Sequence, residues 1–325
     1  MNKEESNIIK GVAILMMLFL HLFCLGKRCD YFIYIGDTPL LTLLTKASNP
    51  VPFFLLISGY GQYAAFLKGD KNKYYRILRL YIHYCLIFLI FFTIMCCVRG
   101  VPEITTRNML SNLIGYDTNI APICWFVFPF ILMSLVSHFV FRLLEREKSK
   151  NLILSSFCIY LIASYLLSRY SSVLQTDQCL LRQLVTLFNI QFPFILGAFV
   201  YKYKLYEIIR SKLPNKYIIL ILIFLIVSIK TIIGVDPLNP FYTFLMIPLL
   251  LNIMNNKIMN NTLSLLGRHS MNIWMIHGWY CYYIFGNELY SLKYPLLIFS
   301  SCLLVSLLSS YIINILLLPI ENKLR

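Results

Sequence analysis

Apolar residues run along this chain in blocks of 15–24, separated by short polar stretches rich in Lys and Arg. An α-helix needs about 20 apolar residues to cross the hydrocarbon core of a bilayer. The blocks predict ten helical spans, at 8–26, 47–67, 80–98, 122–141, 151–168, 184–201, 217–233, 240–254, 269–285 and 295–318. The first run continues to Gly26-Lys27-Arg28 without a small-residue cleavage site, so it reads as a span and not a removed signal. The 240–254 run reaches only about 22 Å as a helix, so it is expected to be tilted, partial or shielded by neighbours. The pattern predicts an all-α polytopic bundle forming one domain over 1–325, with no appended soluble domain.

Charge sets the orientation. With both termini cytoplasmic, 20 of the 29 Lys and Arg fall on inner segments, and the 14 acidic residues divide seven and seven. That is the positive-inside pattern. Composition agrees: 59% of the 325 residues are apolar, only 13% are charged, and mean hydropathy is +0.71. Such a chain cannot cover a water-soluble surface, which excludes an ordinary cytosolic enzyme, a disordered protein or a small disulfide-stapled domain. The net charge of +15 does not point to nucleic acid, because the cations are scattered over short loops with no folded polar domain to present them. The ten cysteines carry no CxxC or metal spacing. Cys24, Cys29, Cys96, Cys97 and Cys179 lie toward one expected face without a pairing signal.

Polar side chains inside apolar spans are the candidates for chemistry. His21 is deep in the first span, with Lys10 eleven residues earlier. Eleven steps of about 100° return to within about 20° of the same face, about 16 Å along the axis, and Asn7 and Met17 share the stripe. Left to spacing, this is either a functional pair or a packed histidine with a snorkelling lysine. In the second span Ser58 and Gln62 share a face, while Gly59 and Gly61 suit close helix packing. Arg76 and Arg79 open the third helix at i and i+3, a placement that suits phosphate as well as plain topological charge. Ser270, Trp274 and His277 fall on one stripe of the ninth span, suited either to a bond between helices or to catalysis. His83, His138 and His269, near inner ends, read as structural. Nucleotide-binding glycine loops, a nucleophile elbow and zinc motifs are absent.

Six segments in order resemble the acyltransferase 3 family of bacterial multi-spanning membrane acyltransferases. Lys10-x10-His21 is similar to that family's Arg/Lys-x10-His signature. Phe53-Phe-Leu-Leu-Ile-Ser-Gly-Tyr60, Tyr75-Arg-Ile-Leu-Arg79, Trp125-Phe-Val-Phe, Phe192-Pro-Phe-Ile-Leu-Gly-Ala-Phe199 and Gly267 through His277 resemble its later motifs. The resemblance spans essentially the whole chain. It implies O-acyl transfer, usually of acetyl, from cytosolic acyl-CoA to a hydroxyl of a cell-surface glycan or lipid-linked saccharide. The enzyme would sit in the inner (cytoplasmic) membrane and work with glycan-assembly proteins. Acetyl-CoA is then a donor substrate, and no metal is called for. On this reading His21 is the base or acyl carrier, Lys10, Arg76 and Arg79 receive the donor phosphates, and Ser58, Trp125 or His277 position the acyl group. Lys10 replaces the commoner arginine, and the usual proline after the loop arginines is missing. The rival readings are a transporter or flippase of lipid-linked glycans, and a non-catalytic scaffold.

Overall fold

The computed structural model describes all residues except 27, 102, 147–148, 172–173, 175–179, 235 and 325. Its long helices are α1 (Lys3–Phe23), α3 (Pro50–Leu67), α4 (Lys73–Arg99), α6 (Val127–Glu145), α7 (Ser149–Arg169), α8 (Leu180–Lys202), α10 (Lys216–Ile233), α11 (Asn239–Ile253), α12 (Lys257–Gly278) and α14 (Pro295–Leu324). Four short helices, α2 (Leu40–Leu44), α5 (Thr106–Ile114), α9 (Leu205–Ser211) and α13 (Gly286–Tyr290), lie between them. A two-stranded hairpin, β1 (Tyr34–Ile35) with β2 (Thr38–Pro39), precedes α2. Each of the ten expected spans coincides with a helix.

Helix starts follow local chemistry. Asn2 and Glu5 cap each other's backbone amides at the head of α1, each at 2.8 Å. Pro50 opens α3, where a missing amide hydrogen costs nothing. Asn256 accepts the amides of Ile258 and Met259 at the start of α12. The helix that holds the ninth expected span therefore begins at Lys257, directly after this cap and twelve residues before position 269. Asn260, Asn261, Ser264 and Arg268 hide that early half from hydropathy.

Among the described residues, eight helices are long and apolar enough to cross a membrane, α11 and α12 falling short by length and polarity. Most of the α11 side chains are buried, so the short helix is shielded by its neighbours. On α10 the reverse holds: Phe224 and Ile232 are 70% and 80% exposed, an apolar face matched to lipid and not to water. Among the described cysteines, Cys24, Cys29, Cys96 and Cys97 are free thiols; Cys179 lies outside the described residues.

α1 runs through the middle of the bundle, packed on α12, α3, α14 and α11. Glycine contacts bring backbones together at several crossings. A Cβ on Gly11 would stand 2.1 Å from the Leu263 carbonyl oxygen, and one on Gly59 1.8 Å from that of Phe194. Gly59 thus packs helices as expected. Gly61 does not: no atom of another element among the described residues lies within 4 Å of its Cβ position, and it borders open space. Helix pitch explains the difference, since two residues along α3 turn about 200° away from α8.

Candidate active site

The open space is a cavity of about 1200 Å³ between α1, α3, α4, α6 and α12. Lys3, Asn7, Lys10, Met17 and His21 supply its α1 wall, one stripe at helical spacing. Ile14 belongs to that stripe but is fully buried, so the wall is interrupted there. The structure brings Lys10, Ser58, Arg76, Arg79, Trp125 and His21 onto this one cavity. His277 is not on its wall; the ring is completely buried behind His21, with centroids 5.2 Å apart.

Cations crowd the end beside the start of α1. The described lining residues include seven Lys and Arg, of which Lys46 lies apart on the loop before α3, and one acid, Asp236, on the loop after α10. Lys3 and Lys10 have no hydrogen-bond or ion-pair partner among the described residues. The two arginines are engaged: Arg76 with Asp70 at 2.5 Å and Arg79 with Glu321 at 2.7 Å. Arg76 holds the partly exposed Asp70 carboxyl below the usual carboxylate range. Both arginines still border the cavity, so a competing anion meets a guanidinium already oriented by its carboxylate.

His21 occupies the last turn of α1, closer to the helix end than the expected span implies, because the helix stops at Phe23. The Tyr282 hydroxyl donates to the His21 carbonyl and stands 3.3 Å from His21 Nδ1. His21 Nε2 has no protein partner among the described residues and is not sealed from the cavity. Behind it, His277 Nδ1 donates to the Ile273 carbonyl at 3.1 Å, and His277 Nε2 is buried without a partner. The expected stripe of the ninth span therefore splits. Ser270 and Trp274 face the cavity, but the Ser270 hydroxyl donates to Gly267 O at 2.8 Å. On α3, Ser58 and Gln62 share the cavity wall as expected, with Gln62 donating to Ser134 at 3.1 Å.

A polar network joins α4, α12 and α14, and sequence reasoning missed it. His83 Nε2 meets Glu321 at 2.8 Å and His83 Nδ1 meets Asn272 Oδ1 at 2.7 Å. The Asn272 amide donates to Asn314 Oδ1 at 2.9 Å, and His269 Nδ1 meets Ser310 at 2.8 Å. His83 and His269 both border the cavity and bond between helices, and His83 helps fix Arg79 through their shared Glu321. The available signal was Asn272 and Asn314 inside apolar spans. Tyr282 was equally unmarked in the sequence.

The arrangement offers cations at one end and an imidazole nitrogen toward the other, both on one cavity. Groups of three or more His, Cys, Asp or Glu placed to hold a metal are absent among the described residues. No curated protein and no solved structure matches the chain. A family model described as an acyltransferase domain matches residues 4–315. That match covers nearly the whole length, and with the apolar helices it makes this protein a membrane acyltransferase belonging to the acyltransferase 3 family.

Proposed function

We propose that the protein moves an acyl group, acetyl above all, from cytosolic acyl-CoA to a hydroxyl of a cell-surface or lipid-linked glycan. One observation carries this reading: a single cavity has unpaired Lys10 toward one end and the open Nε2 of His21 toward the other, about 16 Å apart along α1. Acyl-CoA has the matching shape, a polyanionic nucleotide on a long, thin arm. Its phosphates suit Lys3, Lys10, Arg76 and Arg79, and the arm then runs outward along α1.

At the far end His21 Nε2 takes the proton of the acceptor hydroxyl as the oxygen attacks the thioester carbonyl. The tetrahedral adduct collapses, the C–S bond breaks, and the leaving thiolate takes the proton back from the imidazolium. The products are an ester and free CoA, so no proton is gained or lost overall. Ser58 and Trp125, which line the same cavity, position the acyl group. The thioester supplies the activation, so the scheme calls for no metal.

The test is ester content of surface glycans with and without the gene, by mass spectrometry. Loss of one defined mass increment from one glycan is expected. Unchanged esters with glycan retained on the inner side would instead favour a flippase.

A further inference from the structure

We infer that Tyr282 is a positioning residue for His21: it holds the imidazole proton on Nδ1 and leaves the Nε2 lone pair facing the cavity. The inference rests on the reading of His21 as the base.

The contact depends on an unusual turn. His277 and Tyr282 are five residues apart, so a regular α-helix would place them about 140° from one another. Yet both rings flank His21, at centroid distances of 5.2 and 5.9 Å. Residues Trp279–Tyr283 form a π-helical turn closed by the Ile284 amide on the Trp279 carbonyl at 2.9 Å. Such wide turns recur at functional sites. Here the turn swings Tyr282 back over the end of α1.

The hydrogen bonds then determine the tautomer. A tyrosine hydroxyl has one proton and two lone pairs. Tyr282 commits its proton to the His21 carbonyl, the shorter of its two contacts with His21 and one that only a donor can make. What remains toward Nδ1, 3.3 Å away, is an acceptor. Nδ1 must therefore carry hydrogen, and a neutral ring is left with its lone pair on Nε2, the ring nitrogen with no partner among the described residues. Which nitrogen of a histidine is protonated follows from the bond its other nitrogen makes.

A neighbouring tyrosine separates this role from simple helix capping. Tyr290 donates to the Leu22 carbonyl at 3.0 Å, so the two tyrosines satisfy successive carbonyls at the end of α1. Arg28 lies over both rings, 5.2 Å from Tyr282 and 5.3 Å from Tyr290. The two bond adjacent carbonyls and share one cation, but Tyr282 alone of the pair approaches the His21 ring.

The experiment uses the full chain labelled with 15N-histidine, the His21 signals being assigned by difference from His21→Gln. Wild type is expected to show a protonated Nδ1 and a bare Nε2 on neutral His21. In Tyr282→Phe the proton should move to Nε2. Tyr290→Phe should leave the His21 signals unchanged while lowering thermal stability by a similar amount. In turnover assays Tyr282→Phe should lower kcat about 10- to 100-fold with KM for acyl-CoA unchanged, part of the 10²–10⁴-fold that a general base supplies. A wild-type His21 protonated on Nε2 overturns the inference without recourse to any variant. So does an equal kcat loss in Tyr290→Phe. The tautomer readout needs no turnover, so it is independent of whether His21→Ala abolishes transfer.

Discussion

Arg79 Nε lies 2.7 Å from Glu321 Oε1, and the same oxygen meets His83 Nε2 at 2.8 Å. One carboxylate from the last helix thus holds two cation-capable groups of α4. The Arg79 side chain is 43% exposed, whereas His83 is 1% exposed. Solvent screens the first contact and hardly screens the second. Arg79→Ala should therefore cost below about 1 kcal/mol of stability. Glu321→Ala should cost about 1–3 kcal/mol, because it leaves the buried His83 nitrogen without an acceptor. Thermal melts in detergent read the difference, and equal losses would show that the His83 contact contributes nothing.

Gly267 and Gly61 should respond in opposite ways to alanine. A Cβ on Gly267 would lie 1.9 Å from the Asn7 carbonyl oxygen, backbone that cannot step aside without separating α1 from α12. Gly267→Ala should lower both thermal stability and transfer. Gly61→Ala meets nothing within 4 Å and gains about 1 kcal/mol of helix propensity, so its melting point should hold or rise. A stable, active Gly267→Ala protein would contradict the packing described for α1.

Donor binding should depend on charge at the inner end of the cavity. Lys10→Ala should weaken acyl-CoA binding, while Lys10→Arg should be tolerated. Arg76→Ala combined with Arg79→Ala should weaken it too, and added salt should weaken the wild type. Isothermal titration measures each case. Unchanged affinity in a folded double variant would leave the arginines with their ion pairs and topology alone.

Hydropathy and helical period were enough to locate every long helix, because lipid imposes long apolar runs. They fail where the bundle turns polar groups inward. The first half of α12 has Asn260, Ser264 and Arg268, so its apolar signal starts only near position 269. The Lys10–His21 stripe was legible because both lie on one regular helix. The Glu321–His83–Asn272 network was not, since it joins three helices far apart in sequence. Tyr282 was hidden for a different reason: the π-turn breaks the 100° register on which stripe arguments depend. His277 shows the converse, a residue on a plausible stripe that packing has placed behind the cavity.

Topology is the next expectation. Eight helices meet the length and apolarity of a span, and the ten-span orientation follows from the 20-to-9 division of Lys and Arg. Reporter fusions after Lys150 and Lys212 should read cytoplasmic, and fusions near Arg107 and Asp236 external. Cytoplasmic signals at both of the latter sites would rule out that orientation.

The central claim is that His21 performs the proton transfer. The direct measurement is the single-turnover rate of acyl transfer by purified His21→Ala, compared with wild type at saturating acyl-CoA. A fall of about 10²–10⁴-fold is expected, with donor affinity and melting temperature nearly unchanged, because the proposed phosphate site is at the other end of the cavity. Transfer by His21→Ala at close to the wild-type rate would contradict the assignment.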